Sequence, residues 1–213
     1  FEPYSQQLNA SGGTPSYCWK IATDYSETNQ NSTFPAANAQ QLTVSGNTSG
    51  FAEVSLPFEF PFYGKKYSKV YAHVDGYLMF QPDLMPWTFI IYEKTFLRNT
   101  ANISPYMSKP LTLYPAEGDG IWYQGNQDSV IFRWKSGMYN YGPTTDLNFA
   151  VKIFPDGKIE FYYGTIQSFD WIKWNAGFSN GDGVNYHFAA ITDSLSQPAP
   201  NSMFRFTPST FPT

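Results

Sequence analysis

Apolar and polar side chains alternate in short stretches along most of the chain. The alternation is clearest in residues 147–153 (LNFAVKI), and it resumes in residues 158–163 (KIEFYY) after a Pro-Asp-Gly turn sequence. A period of two places successive side chains on opposite faces of a β-strand, and glycine supplies the positive φ that a tight turn needs. We therefore predict a β-hairpin over residues 147–163.

The same period predicts strands over residues 130–135 and 70–80, the second of which turns at Asp75-Gly76. Residues 85–97 fit either a strand or one short helix. Shorter apolar stretches predict strands at residues 42–45, 51–56, 111–114, 120–124, 184–190 and 203–206. About ten or more short strands separated by turns predict an all-β fold, an antiparallel β-sandwich of jelly-roll-like type with at most one short helix.

The polarity of the chain changes near residue 42. Residues 26–41 (SETNQNSTFPAANAQQ) are polar and do not alternate, which is typical of a surface loop or an arm. We therefore predict an N-terminal arm over residues 1–41 that packs on the domain or leads into it. One β-sandwich domain then covers residues 42–207, and residues 208–213 begin a C-terminal linker.

Composition narrows the class of protein. Of the 213 residues, 19% are aromatic and only 14% are charged, and 16 Gly and 16 Pro interrupt the chain. Aromatic burial on this scale excludes a disordered chain, and the scarcity of strong helix formers excludes a coiled coil. The net charge of −4 argues against binding to nucleic acid. The apolar stretches are too short for a membrane span, so we expect no membrane insertion.

Cysteine content and surface chemistry suggest where the protein works. Cys18 is the single cysteine, so an internal disulfide bond cannot form. A lone thiol suits a reducing compartment, but it also suits bacterial secreted domains that are large enough to fold without disulfides. The chain is rich in Ser, Thr, Asn, Gln and Tyr and poor in Lys, Arg and Glu. This composition favours an extracellular or cell-surface location.

Residues 56–80 (LPFEFPFYGKKYSKVYAHVDGYLMF) carry a more specific pattern, an apolar strand ending in FPFYG followed by V-x-V and GYLxF. The pattern resembles the β-sandwich domain of nidogen and of plexin-domain-containing extracellular proteins, which also occurs in bacterial secreted and surface proteins of Bacteroidota type. Residues 118–135, 148–164 and 176–183 match the rest of the pattern in order, so the resemblance covers roughly residues 50–190.

The resemblance implies a β-sandwich domain of a larger surface or secreted protein. It implies no catalytic residues, because the family is not defined by an active site. Residues 104–111 (SPYMSKPL) stand where the pattern usually has APFWDDL, so no role of those acidic residues is carried over.

Candidate catalytic motifs have simpler structural explanations. Gly177, Ser179 and Gly181 form a G-x-S-x-G string, but a strand-like DGVNYHF follows it where a hydrolase has a helix, so we interpret it as a hairpin turn. His73 and His187 lie in strand-like segments, which favours half-exposed strand histidines over metal ligands. Carboxylates are not densely clustered, so a hydrolase that uses paired Asp or Glu is the least favoured function.

Two Gly-Asp-Gly strings surround Asp119 and Asp182. Carboxylates in glycine-rich loops can ligate Ca²⁺, which needs six to eight oxygens, and Asp-Gly is also a strong hairpin signal. We favour turns and predict no cofactor, with a structural Ca²⁺ site as the alternative.

Aromatic side chains in polar or loop contexts are the candidate binding residues. Flat rings stack on sugar rings or anchor a protein partner, whereas the alternative role is to cover the ends of the core. The candidate rings are Trp171, Trp174, Tyr139, Tyr141 and Trp87.

Together these features predict a non-catalytic adhesion or interaction module of a larger secreted or cell-surface protein, which binds an extracellular protein. The alternative is a carbohydrate-binding module that stacks a polysaccharide on exposed Trp and Tyr rings. A glycoside hydrolase is the third and weakest hypothesis.

Overall fold

A computed structural model of the chain describes residues 25–36, 40–82, 94–108, 111–139, 142–167, 173–193 and 197–209. Two 3₁₀ turns, Pro115–Glu117 and Ala190–Asp193, accompany the strands and the α-helix α1 (Lys94–Asn99). The strands are β1 (Tyr25–Asn31), β2 (Gln40–Gln41), β3 (Phe51–Phe62), β4 (Lys65–His73), β5 (Tyr77–Met79), β6 (Ala101–Ser108), β7 (Leu111–Thr112), β8 (Gly120–Gly125), β9 (Val130–Met138), β10 (Gly142–Ile153), β11 (Ile159–Ile166), β12 (Trp174–Asn180), β13 (Tyr186–Phe188) and β14 (Ser202–Pro208).

The strands form two antiparallel sheets. Sheet A has the order β1-β14-β11-β10-β9-β8-β2, and β7 also pairs with β9. Sheet B has the order β13-β12-β6-β5-β4-β3. The main hydrophobic core lies between the sheets. The prediction of an all-β, antiparallel sandwich with one short helix is therefore confirmed.

The predicted hairpin is β10 and β11, in which Val151 pairs with Phe161. Gly157 adopts a φ of 83° in the turn, the left-handed conformation that glycine tolerates. The alternating apolar side chains of β10 face the core and are fully buried: Leu147, Phe149, Val151 and Ile153. Periodicity identified this element because one of its faces is core and the other is mostly polar.

The FPFYG segment ends β3, which is an edge strand of sheet B. The pairing of β3 with β4 shifts register between Ser55 and Phe60, and Pro57 lies in that irregularity. A proline lacks a backbone donor and is confined to edges and bulges, so this placement is the expected one. Phe60 and Phe62 fill the core beyond the irregularity.

Two expectations for the N-terminal part were wrong. Residues 42–45 form no strand; Leu42 donates one backbone hydrogen bond to Ile121, and Leu42 and Val44 pack on the core from an irregular segment. Residues 26–41 are not all loop, because β1 pairs with β14 over seven residues and β2 pairs with β8. The strand β1 is polar because it lies at a sheet edge, so its alternation is weak.

The outer faces of both sheets carry small apolar clusters. On sheet B, Leu97 from α1 packs with Tyr71, Tyr77, Met79 and Met107. On sheet A, Phe34 packs over Ile131 and Ala150. On sheet B, the strands under α1 are buried on both faces, which removes the alternation that would reveal them. The strand β6, for example, is buried at every position from Asn102 to Ser108.

Buried aromatic side chains connect the two sheets with hydrogen bonds. The indole Nε1 of Trp134 on sheet A donates to the His73 carbonyl on sheet B at 2.8 Å. The Tyr163 hydroxyl on sheet A donates to the Pro105 carbonyl on sheet B, also at 2.8 Å. All of these donors and acceptors are buried, so each lost bond would leave an unpaired polar atom away from water.

The turn between β4 and β5 requires a glycine at position 76, and substitution can test this requirement. Gly76 has a φ of 85°, and a Cβ there would lie 2.1 Å from the Tyr106 carbonyl oxygen. Gly64 has a similar φ of 77° with no atom within 4 Å of its Cβ position. Gly64→Ala should therefore cost only the backbone strain, about 1–2 kcal/mol, whereas Gly76→Ala should cost at least about 3 kcal/mol because it adds a backbone clash. Urea unfolding of both variants measures the difference, and equal losses would contradict this account.

Burial of tyrosine predicts a loss of stability at alkaline pH. Burial raises the pKa of Tyr25, Tyr106 and Tyr163 above the ordinary value of 10.0. Above about pH 10 the unfolded chain releases these protons and the folded chain keeps them, so the free energy of unfolding falls by about 1.4 kcal/mol per pH unit for each group. Urea unfolding between pH 8 and 11 should show little change up to about pH 10 and this slope above it, and Tyr163→Phe should reduce the slope. A pH-independent free energy over that range would disprove the prediction.

Candidate functional site

The structure describes two of the five candidate binding rings. Trp174 is half-buried and stacks on Tyr106, with ring centroids 4.9 Å apart and planes 12° apart, so one of its faces covers the core. Tyr139 is 48% exposed at the end of β9. Trp171, Tyr141 and Trp87 lie outside the described residues. The predicted set of rings therefore stays a prediction.

An exposed apolar surface lies on the β12–β13 hairpin. Within the described residues, the exposed large apolar side chains are Val184, Tyr186 and Tyr139. Val184 is 52% exposed and Tyr186 is 37% exposed. The half-buried ring of Phe188 lies 5.2 Å from that of Tyr186. Two of the three exposed apolar residues thus lie within one short hairpin.

Cationic side chains of α1 lie over the rings of this hairpin. The Arg98 guanidinium is 5.7 Å from the Tyr186 ring centroid, and the Lys94 ammonium is 5.1 Å from that of Phe188. A cation over a ring face is attracted by the ring quadrupole. We call this set, Lys94, Arg98, Val184, Tyr186 and Phe188, the hairpin surface.

Sequence reasoning did not identify the hairpin surface. A strand was predicted at residues 184–190, but the sequence of these residues does not indicate which of their side chains α1 leaves exposed. One signal was available, the spacing of four residues between Lys94 and Arg98, which places both cations on one face of a helix.

Asp182 fixes the turn of this hairpin. Its carboxylate accepts hydrogen bonds from the backbone N–H of Val184 at 2.7 Å and of Asn185 at 2.6 Å. The side-chain amides of Asn185 and Asn180 donate to it as well. Slight burial of Asp182 opposes ionisation, but these hydrogen bonds prevail and lower its pKa to about 2. The carboxylate of this Gly-Asp-Gly string therefore accepts its hydrogen bonds from within its own turn.

The other Gly-Asp-Gly string is also tied to its own loop. The Asp119 carboxylate accepts a hydrogen bond from the Tyr114 N–H at 3.1 Å and lies 3.6 Å from the Lys135 ammonium. Burial nevertheless raises the pKa of Asp119. In the described part of the chain, no three His, Cys, Asp or Glu side chains come together as a metal site.

The G-x-S-x-G string is part of a strand and its turn. The buried Ser179 hydroxyl donates to the Arg98 carbonyl at 2.6 Å, which ties β12 to α1. Ser179 pairs with Tyr186 in the ladder, so the next residue, His187, points to the opposite face. His187 instead lies 2.9 Å from Glu27 of β1 and connects the edge strands of the two sheets. The expected hairpin turn is therefore found, without a serine–histidine contact.

The expectation of a half-exposed His73 was wrong. Its side chain is buried, stacks on Tyr77 with centroids 4.6 Å apart, and lies 3.4 Å from the Asp75 carboxylate. The α1 segment covers this outer face of sheet B through Leu97 and Phe96. In a simple two-layer sandwich the outer face of a sheet is exposed to solvent, whereas α1 covers this part of the outer face of sheet B.

A groove of about 500 Å³ opens beside the hairpin surface. Its apolar lining consists mainly of three rings, Tyr67, Phe80 and Phe96. Its polar lining among the described residues includes Lys65, Gln81, Asn99, Thr100 and Asn180. The rings of Tyr67 and Phe80 stack with centroids 4.1 Å apart. We call this feature the aromatic groove.

Fold and site together define an antiparallel β-sandwich whose exposed features are an apolar hairpin and a groove. The model of one family, described as NIDO related, matches residues 24–210. The chain therefore belongs to the NIDO-related family, and the resemblance to the nidogen domain is confirmed. Among curated proteins and among solved structures, no match is found.

Family membership supports a coarse functional statement. Nidogen-related domains are interaction modules and are typically extracellular. The family is not a known enzyme family. Within the described residues, none of the helices has both the length and the apolarity needed to cross a bilayer.

Removal of the Asp182 carboxylate should loosen the hairpin surface. Asp182→Ala removes the acceptor of the Val184 and Asn185 N–H groups, so we expect roughly five- to tenfold faster hydrogen exchange at these two amides. Asp182→Asn is the matched control, because its side-chain oxygen still accepts both bonds. Exchange measured by NMR at pH 6 tests this, and equal rates in the two variants would refute the assigned role.

Proposed function

We propose that this chain is a non-catalytic, extracellular interaction module of a larger secreted or cell-surface protein, and that it binds a protein partner through the hairpin surface. The observation that carries the proposal is the clustering of exposed Val184 and Tyr186 beside the cations Lys94 and Arg98. Aromatic residues and arginine are enriched in binding hot spots. The matching partner surface is an apolar pocket with carboxylates at its rim.

The covered outer faces support this choice of surface. Residues 32–36 cover part of the outer face of sheet A, and α1 covers part of the outer face of sheet B. An exposed apolar pair costs solubility, so its retention favours a binding role. The bacterial setting implied by the resemblance stays a prediction.

The placement of carboxylates supports a non-catalytic role. Glu160 is held by Arg205 at 2.7 Å, Glu53 by Lys69 at 2.6 Å and Glu27 by His187 at 2.9 Å. Among the described residues that line three of the surface grooves, the single carboxylate is that of Asp119. A glycosidase needs two carboxylates facing one cleft. A glycoside hydrolase is therefore the weakest of the three hypotheses.

Carbohydrate binding is the second candidate, and the aromatic groove favours it because its lining combines rings with amide side chains. The rings proposed from sequence, Tyr139 and Trp174 among them, remain alternative positions for such a site. We further propose that binding needs no Ca²⁺, because Asp119 and Asp182 are engaged within their own loops.

A binding screen tests these proposals. The immobilised chain is exposed to a panel of purified extracellular proteins and to a glycan array, each with Ca²⁺ and with EDTA. We expect saturable binding to at least one protein, independent of EDTA. The double variant Val184→Ser/Tyr186→Ser should weaken this binding at least about tenfold, since buried aromatic anchors are worth 2 kcal/mol or more.

Tyr139→Ser is the matched control, because it removes a ring of comparable exposure from another part of the surface. Its binding should equal that of the unmodified chain. Retention of glycans alone would replace the proposal with the second candidate. Binding that survives in the hairpin variant and is lost in Tyr139→Ser would overturn the assigned surface.

A further inference from the structure

We propose that the aromatic groove is a saccharide-binding site, which takes two or three units of a neutral glycan built from pyranose rings with equatorial substituents. Such rings present flat C–H faces to an aromatic floor and hydroxyl groups to a polar rim. This inference rests on carbohydrate binding, the second candidate function, and specifies its ligand class. It stands on residues other than those of the hairpin surface, so it does not depend on protein binding there.

The floor of the groove is apolar and is held in place by the core. Tyr67 and Phe80 stack at 4.1 Å, with planes 30° apart, and both are only partly buried. Phe80 in turn contacts the buried rings of Phe60 and Phe62, at centroid distances of 6.3 and 4.8 Å. Tyr67 thus lies at the end of a column of packed aromatic rings, with one face against Phe80. A rigid floor reduces the entropy that binding costs.

The rim of the groove offers amides that both donate and accept hydrogen bonds. Gln81 and Asn99 are exposed beside the rings. Asn180 is oriented in advance, because its Oδ1 accepts a bond from the Asp182 N–H at 3.0 Å and its Nδ2 donates to the Asp182 carboxylate at 3.1 Å. Each of these primary amides can serve as donor and acceptor to adjacent hydroxyls of one sugar ring.

Charge and hydrogen-bonding capacity argue against cationic and purely apolar ligands. The described lining has one cation, Lys65, and no carboxylate, so a cationic ligand would find no counter-charge. A purely apolar ligand or peptide side chain would displace water from the amides without replacing their hydrogen bonds. A polyol satisfies the amides and covers the rings together. A volume of about 500 Å³ falls in the range of small-molecule sites and accommodates a short oligosaccharide segment.

Isothermal titration of the whole chain with defined hexasaccharides tests the proposal. The probes are β-1,4-linked glucose, xylose, mannose and N-acetylglucosamine oligomers, and an α-1,4-linked glucose oligomer. We expect micromolar to millimolar binding of at least one of the β-1,4-linked glucose, xylose and N-acetylglucosamine oligomers, whose ring substituents are all equatorial. The mannose and α-1,4-linked oligomers carry an axial substituent and should bind more weakly, and binding of these two alone would contradict the proposal. Tyr67→Leu keeps an apolar side chain but removes the flat ring, and it should weaken binding about tenfold. Gln81→Ala and Asn99→Ala change exposed residues and should each weaken it a few-fold.

Phe154→Leu and Gln124→Ala are the matched controls, since they change a partly buried ring and an exposed amide outside the groove. Both should bind as the unmodified chain does, and thermal unfolding verifies that every variant is folded. Lack of binding to all probes would overturn the proposal. So would binding that Gln81→Ala and Asn99→Ala leave unchanged.

Failure of the saccharide site and failure of the hairpin proposal are distinguishable. Val184→Ser/Tyr186→Ser should reduce protein binding and leave the titration with sugar unchanged. A protein partner that Tyr67→Leu displaces, in a chain that binds no sugar, would assign the groove to a peptide and contradict the saccharide inference.

Discussion

The structure depends on polar aromatic side chains that are buried between the two sheets. Trp134 and Tyr163 donate across the core to carbonyls of the opposite sheet, both at 2.8 Å, while their rings supply apolar area. Burial of such a side chain is favourable only when its donor has an acceptor within hydrogen-bonding distance. These bonds therefore fix the relative position of the sheets as well as their spacing. Gly76 belongs to the same constraint, because its lack of a Cβ lets the β4–β5 turn approach the Tyr106 carbonyl.

This alignment places the exposed features at one end of sheet B. The strands β12 and β13 continue past the core as a hairpin, which the Asp182 carboxylate closes. The helix α1 lies against β12 through the bond from the Ser179 hydroxyl to the Arg98 carbonyl. The hairpin surface and the aromatic groove therefore share a support, although different side chains form them. An interaction module with two adjacent sites of different chemistry can engage a glycoprotein through its chain and its sugars together.

Sequence periodicity predicted the elements that have one buried face. The β10–β11 hairpin and residues 132–135 of β9 alternate because their inner residues meet the core and their outer residues are largely polar. It missed β6 and β12, which are buried on both faces, and β1, whose polar edge position hides its pairing with β14. The aromatic groove escaped prediction for another reason. Tyr67, Phe80 and Phe96 are distant in sequence, and only the pairing of β4 with β5 and the packing of α1 bring them together.

The pairing of β1 with β14 has a mechanical consequence for a module within a longer chain. Tyr25 lies opposite Pro208, so the polypeptide enters and leaves this pair of strands at neighbouring points. Tension transmitted through the flanking polypeptide would pull those two points apart and open the ladder sequentially from one end. Rupture that loads one backbone bond at a time needs less force than shearing a whole strand. The domain would then yield first at β1, with the remaining strands of both sheets still assembled.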